Sequence, residues 1–188
     1  MNRADAVEEL KQVYSVLNAD FVYAREAAIQ NPTEFHKRTL VRTCFALIEG
    51  LAYQLRHVTL ATLQDTDFLS EGELAVLKET MHRLNQSGDI EERDNFQTTL
   101  PMMLFTLRVY AKNHGACFEP KTSDNGWSCL KKAVKIRDRL MHPKSLQDLS
   151  ITDDEGAIFS AGVSWWDHAM WDLFQVCEAA DKKHLQVQ

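Results

Sequence analysis

The chain has few of the residues that interrupt regular structure, with only seven glycines and four prolines among 188 residues. This scarcity disfavours a loop-rich all-β fold, because tight turns between short strands depend on these two residue types. No apolar run approaches the roughly 20 residues of a membrane-spanning helix, and the N-terminus MNRADAVEEL lacks the apolar segment of a signal peptide. We therefore expect a cytoplasmic protein without membrane contact.

Cysteine is also sparse, and the four cysteines at positions 44, 117, 129 and 177 include no CxxC pair. The spacing predicts neither a zinc knuckle nor a disulfide framework. Three of them lie among apolar neighbours and are expected to be buried thiols. The seven histidines form no HExxH or similar ligand pair. We predict no metal and no cofactor, and a metal-dependent hydrolase is the least supported class.

The composition that remains is that of an ordinary globular chain, with 45% hydrophobic and 26% charged residues. The length suits a single domain, 1–188, with a sizeable core. The formal net charge of −6 argues against a protein that coats nucleic acid by bulk electrostatics.

Apolar residues recur at spacings of three and four along most of the chain, which is typical of helices. A polar loop is expected at about 86–99, and another at 116–125. Caps, prolines and glycines place the helix ends, and the predicted helices cover about 3–30, 33–62, 70–85, 101–115, 127–142 and 150–185. The expected fold is an all-α antiparallel bundle of about five or six helices.

The second predicted helix has charged and polar residues along one edge of its apolar stripe: Arg38, Arg42, Glu49, Tyr53 and Arg56. Glu49 is a candidate partner for an arginine on another helix, because it is an acid beside a core-facing surface. A local contact of Glu49 with Tyr53 or Arg56 is the alternative. Three tryptophans in the last predicted helix, at 165, 166 and 171, favour a core or dimer interface over base stacking.

One stretch, WSCLKKAVKIRDRLMHPK at 127–144, is hard to explain by packing alone. At about 100° per residue, Arg137 falls in the middle of its apolar half, which also holds Met141. A guanidinium stays charged, so it needs a carboxylate, a phosphate or a second subunit there. His142 ends the helix before Pro143, and Asp138 lies four residues earlier, where it could orient the imidazole.

The run Arg137-Asp138-Arg139-Leu140-Met141-His142-Pro143 resembles the Arg-polar-x-x-x-His signature of the HEPN superfamily. That family comprises small all-helical domains, many of which are metal-independent endoribonucleases that dimerise with their motifs facing each other. The resemblance implies that Arg137 and His142 are the functional positions, with Asp138 in the polar slot. It also implies a role such as a toxin or phage-defence ribonuclease, with an antitoxin or other protein partner.

RNA cleavage without a metal needs a base for the 2′-hydroxyl proton, an acid for the leaving 5′-oxygen and a cation for the phosphorane. A two-fold dimer would bring two histidines and two arginines into one cleft. In this hypothesis His142 is the acid/base, Arg137 binds the scissile phosphate and Asp138 holds the imidazole. The stretch has six basic residues and one acidic one, and those expected to contact neighbouring phosphates are Lys131, Lys135, Arg139 and Lys144. A merely solvated helix face would explain the same charges.

A second hypothesis treats the chain as a non-catalytic HEPN-type module that dimerises or binds a protein or nucleotide. Arg137 would then be tied structurally to Glu49, and His142 would be a cation favoured by the helix dipole. The two hypotheses differ in whether Arg137 and His142 face an open cleft or a closed core.

Overall fold

The computed structural model of the protein describes residues 2–63 and 68–186. Within these ranges it contains the helices α1 (Arg3–Gln30), α2 (Glu34–Thr62), α3 (Glu71–Lys78), α4 (Thr99–Asn113), α5 (Asn125–Met141) and α6 (Asp153–Gln186). The remaining elements are the strands β1 (Thr80–Leu84) and β2 (Ile90–Asp94) and a short 3-10 helix, Gln147–Leu149. The predicted all-α helical bundle is confirmed. No helix in the described ranges combines the length and the apolar character that crossing a bilayer requires.

Reciprocal capping boxes begin two of the helices where the sequence predicts them. At the start of α3, the Glu73 N–H donates to Ser70 Oγ, and the Ser70 N–H donates to the Glu73 carboxylate at 2.8 Å. At the start of α6, Thr152 and Glu155 exchange the same two hydrogen bonds, at 3.1 and 3.2 Å. Each pair satisfies two backbone donors that the first helical turn leaves free.

The prediction for the third helix is wrong at its C-terminal end. α3 stops at Lys78 instead of continuing to about Asn85, because Glu79 adopts the left-handed conformation with φ 55° and ψ 40°. The Glu79 N–H still donates to two carbonyls of the last helical turn, so the chain leaves the helix with its backbone satisfied.

A β-hairpin occupies the region for which the sequence predicts the end of a helix and a loop at 86–99. β1 and β2 pair antiparallel from Thr80 opposite Asp94 to Leu84 opposite Ile90. Gly88, with φ 85°, closes the connecting turn. The strands TMHRL and IEERD have no buried residue, so neither carries the alternating apolar face that would have indicated a strand.

The core lies between α2, α4, α5 and α6, while α1 packs chiefly along α2. α5 and α6 approach each other closely at Gly162, where an added Cβ would lie 2.8 Å from the backbone N and Cα of Leu130. Fully buried side chains in this core include Leu55, Leu107, Leu130, Leu140 and Leu173. The missing side chain at Gly162 therefore sets the spacing between the helix that carries the Arg137 motif and its neighbour.

The aromatic residues divide between core and surface. Trp165 and Trp166 are buried, and the ring of Trp165 packs against that of Trp127 at a centroid distance of 4.9 Å, with the two planes tilted by 49°. Trp171, in contrast, is 67% exposed. Met141, expected on the apolar half of α5, is 51% exposed because the helix ends there and turns away from the core.

The cysteines follow the expectation of three buried thiols, since Cys44, Cys129 and Cys177 are buried and Cys117 is exposed. Burial raises the pKa of the Cys44 and Cys177 thiols to about 12 in each case. These two groups therefore remain protonated, and unreactive as nucleophiles, at any physiological pH.

We predict that Gly162→Ala destabilises the protein by about 1–3 kcal/mol, because the new methyl group meets backbone atoms that cannot rotate away. The matched control is Gly156→Ala in the same helix, where no atom lies within 4 Å of the added Cβ. That change should stabilise the helix by about 0.5–1 kcal/mol. Urea unfolding measures the change in the free energy of unfolding for each variant. Equal changes at both positions would contradict the close contact between α5 and α6 at Gly162.

A thiol-reagent titration at pH 8 should modify one of the four cysteines in the native protein and all four after denaturation. Cys117→Ser should abolish the rapid native reaction, because Cys117 is the exposed thiol. Rapid modification of the native Cys117→Ser variant would mean that the core around Cys44 or Cys177 opens.

Candidate functional site

One edge of α2 holds the C-terminal end of α5 and the segment that follows it. Arg42 Nη2 donates to the carbonyl of Leu140 at 2.8 Å, and Arg38 Nη1 donates to the carbonyl of Leu149 at 2.9 Å. The last carbonyls of a helix have no partner within the helix, and a cation there also complements the helix dipole. Arg42 thus binds the end of α5, and Arg38 binds the end of the short 3-10 helix that follows it.

Arg137 lies next along the same edge. Its Nη2 contacts the carboxylate of Glu49, and its Nη1 lies 2.9 Å from the carboxylate of Asp138. The guanidinium carbon lies 5.5 Å from the ring centroid of Phe45, a buried residue of α2. The side chain of Arg137 is 19% exposed. The expected contact with Glu49 is therefore present, and it joins α5 to α2.

Of the two alternative partners for Glu49, Tyr53 and Arg56, the arginine is engaged elsewhere, and no hydrogen bond joins Glu49 to Tyr53 among the described residues. Arg56 Nη1 donates to the Glu79 carboxylate at 2.6 Å, at the point where α3 ends and the hairpin begins. This ion pair and the hydrogen bond from the Gln97 N–H outweigh burial and hold the pKa of Glu79 below its usual value. The same edge of α2 therefore anchors the hairpin as well as α5.

His142 is the residue at which α5 ends. Its backbone N–H donates to the Asp138 carbonyl at 3.0 Å, while its side chain is exposed. Its φ of −129° and ψ of 59° depart from the helix, as expected for the residue before a proline. Among the described side chains, no hydrogen bond joins the Asp138 carboxylate to the imidazole. Asp138 pairs with Arg137 instead, so the expected orienting contact is not made.

The segment after His142 is held on two sides. The Asp148 carboxylate accepts the backbone N–H groups of Lys144 and Ser145 at 2.8 and 2.9 Å, and the Lys144 hydrogen bond keeps the pKa of Asp148 below its usual value. Further on, the Ile151 N–H donates to the carboxylate of Glu34 on α2 at 3.0 Å. These contacts fix the backbone that follows the exposed imidazole.

The basic residues expected to bind phosphate fall into two groups. Lys131, Lys135 and Lys144 are exposed, and within the described residues none of them forms a salt bridge. Arg139 differs, because its Nη2 donates to the Glu155 carboxylate at 3.1 Å and to the Ser150 carbonyl at 2.9 Å. Arg139 therefore ties α5 to the start of α6, which makes it a structural residue in this fold.

Three residues of α2 support the site without having been assigned a role from the sequence: Arg38, Arg42 and Phe45. Together with Glu49 they are spaced by four, three and four residues, so they share one face of the helix. That spacing was visible in the sequence. The spacing alone could not predict which other element of the fold this face of α2 contacts.

The resulting site has a partly covered cation, Arg137, in the last turns of α5 and an exposed imidazole, His142, at the residue that ends the helix. Lys131 and Lys135 are exposed on the same helix, and Lys144 is exposed shortly after it. Such a site can bind an anion at the guanidinium and exchange protons at the imidazole. Across the described residues, no three His, Cys, Asp or Glu side chains converge as ligands of a metal ion.

The class that the fold and site define is an all-α bundle in which an Arg–Glu pair joins two long helices, one of which ends at an exposed histidine. Comparisons of the chain with protein-family models, with curated proteins and with solved structures found no match. The functional assignment therefore rests on the residues and on their geometry.

We predict that Glu49→Gln destabilises the protein by about 1–3 kcal/mol, because it leaves a largely covered guanidinium without its partner on α2. Asp138→Asn is the matched control, since the Asp138 side chain is 56% exposed and its pair should contribute at most about 1 kcal/mol. Urea unfolding gives both values. In the double variant Glu49→Gln/Arg137→Met the effects should be less than additive, and strict additivity would show that the pair is not coupled.

Proposed function

We propose that the protein is a HEPN-like, metal-independent endoribonuclease that acts on RNA at a cleft between two copies of the chain. The observation that supports this most is the position of Arg137, a charged group that is 19% exposed, at the same helix end as the exposed His142. A cation and an imidazole at one helix end are the two groups that this chemistry requires.

The guanidinium has a donor to spare for a ligand. Arg137 Nε is buried and has no hydrogen-bond partner among the described residues. An unpaired donor of a charged group is costly in a folded protein. A phosphate oxygen that reaches Arg137 would add the acceptor that Nε lacks, after a small movement of the side chain.

In the proposed step, the imidazole of His142 takes the proton from a 2′-hydroxyl, and the 2′-oxygen attacks the adjacent phosphorus. The bond from phosphorus to the 5′-oxygen breaks, and the leaving oxygen takes a proton from the imidazolium of the second copy's histidine. The products are a 2′,3′-cyclic phosphate and a 5′-hydroxyl, and no water is consumed. Arg137 stabilises the negative charge on the phosphorane.

A homodimer follows from this chemistry, because one chain supplies one histidine of the pair. A two-fold axis near the C-terminal end of α5 would set two copies of His142 and Arg137 against each other. The exposed lysines 131, 135 and 144 would contact phosphates on either side of the cut. Since Asp138 pairs with Arg137, we assign it the role of positioning the guanidinium and not the imidazole.

Cellular RNA is the proposed substrate, with a cytoplasmic location as expected from the sequence. A toxin or phage-defence role, restrained by an antitoxin or another protein, is the part of this proposal that rests on the family resemblance alone.

We predict that purified protein cleaves single-stranded RNA in the presence of EDTA and leaves cyclic phosphate ends. His142→Ala should lower the rate by about 10²- to 10⁴-fold, because it removes the proton-transfer group. Arg137→Lys should lower it by about 10²- to 10³-fold, since a point charge does not replace the planar guanidinium. Electrophoresis of end-labelled RNA, combined with chemical identification of the termini, gives all three results.

His168→Ala is the matched control for the histidine variant, because His168 is exposed on α6 and hydrogen-bonds to the Ser164 carbonyl of its own helix. It should cleave at the wild-type rate. Circular dichroism and the mass in solution establish that each variant keeps its fold and its oligomeric state. Cleavage by folded His142→Ala at the rate of the wild type would refute the assignment.

One observation favours a second function, that of a non-catalytic dimerisation or nucleotide-binding module. Two carboxylates already contact the guanidinium of Arg137, which is the arrangement of a structural arginine. This alternative predicts a dimeric wild type that cleaves none of several RNA types. His142→Ala would then have no effect, while Arg137→Ala would lower the stability.

A further inference from the structure

A second cavity adjoins the candidate site on the side of α2 that faces α4. Its volume is about 320 Å³, and it lies between α2, the start of α4 and the base of the hairpin. The side chains of Ile48, Met102 and Met103 form an apolar floor, and Met103 is buried. The cavity is at the small end of the range for ligand sites, which suits a single ring system.

The charges around this cavity are compensated in pairs. Glu49, which lines it, contacts Arg137, and Glu79 on the opposite wall accepts from Arg56 at 2.6 Å. Neither carboxylate is left to hold a free cation, and Arg56, the cation that lines the cavity, is already paired with Glu79. The cavity therefore suits a neutral group that forms hydrogen bonds.

Polar and aromatic groups of the rim match a flat heterocycle. Tyr53 is 48% exposed. Its ring lies 5.0 Å from the Arg56 guanidinium and 4.3 Å from the His57 ring, so three planar side chains lie close together at this point. The Gln97 amide nitrogen donates to the Asn95 carbonyl at 3.0 Å, while its side-chain oxygen has no hydrogen bond within the described residues. Stacking on planar side chains and an amide acceptor are the usual means of holding an unpaired base.

The cavity is next to the proposed phosphate site, because Glu49 belongs to both. Its one carboxylate contacts Arg137 and forms part of the cavity wall. A phosphate on Arg137 and a ring in the cavity would thus be separated by a single side chain. Two groups that share one side chain in this way can be bound by the same nucleotide or by adjacent nucleotides of one strand.

We propose that this cavity between α2, α4 and the hairpin binds one nucleobase of single-stranded RNA, next to the phosphate held by Arg137. The inference rests on the proposed function for the identity of its ligand. The hairpin, anchored through Glu79 and Arg56, then forms one wall of the base site and explains why a two-stranded element is kept beside the bundle.

The test measures binding and cleavage separately. The His142→Ala protein, which keeps the RNA intact, is titrated against a fluorescent single-stranded RNA hexamer in which one nucleotide at a time is abasic. Fluorescence anisotropy should show one position at which loss of the base weakens binding by about 5- to 100-fold. Adding Ala52→Phe, which fills the cavity from α2, should weaken binding of the intact hexamer by a similar factor and remove the effect of the abasic position.

Ser160→Phe is the matched control, because it adds the same ring to an exposed position on α6, in a different cavity. It should leave binding of every hexamer unchanged. The abasic series uses the unfilled cavity, so it remains informative if the Ala52→Phe variant does not fold.

The outcomes separate the two proposals. Cleavage that depends on His142, together with an equal response to every abasic position, would overturn the base site and leave the ribonuclease. Binding with one sensitive position, blocked by Ala52→Phe, in a protein that never cleaves would support the base site and overturn the ribonuclease. Absence of both cleavage and binding would overturn both.

Discussion

The contact between Arg137 and Glu49 is the constraint on which the rest of the site depends. A guanidinium in the apolar half of α5 can be covered only if another element brings a carboxylate to it. α2 does so, and Phe45 beneath the guanidinium excludes water from one side of the pair. The charge thereby fixes how α5 is rotated against α2, because a different rotation would take the covered guanidinium away from the carboxylate of Glu49.

The same edge of α2 holds three separate parts of the chain. Arg38 and Arg42 bind carbonyls at and beyond the end of α5, Glu49 binds Arg137, and Arg56 binds the base of the hairpin. These partners are far apart in the sequence, so α2 is the element that brings them to one side of the molecule. A shift of α2 along its axis would move the histidine segment, the guanidinium and the hairpin together.

The sequence predicted the structure correctly where residues close together in the chain determine it. Capping residues and apolar spacing placed α1, α2, α5 and α6 within a few residues, and the covered arginine in α5 predicted its own need for a carboxylate. The hairpin was missed because its ten strand residues carry no buried face and because Glu79, a residue that rarely adopts a positive φ, ends α3. The role of Asp138 was also misassigned. Its position on the helix allowed contact with either neighbour, and the choice between the imidazole and the guanidinium depends on side-chain geometry.

Charge compensation around Arg137 bears directly on how the proposed ribonuclease would select its substrate. In the unliganded protein the charge of the guanidinium is compensated by Glu49 and Asp138. A single phosphate would therefore bind to it with little favourable free energy. With an overall net charge of −6, the protein also lacks the bulk attraction that draws any polyanion. In the proposed ribonuclease, affinity would then come from several contacts made at once: the exposed lysines 131, 135 and 144 on neighbouring phosphates, a base in the cavity beside Glu49, and the second copy of the chain. Such a site would respond to an extended RNA strand and would be indifferent to free phosphate or mononucleotides.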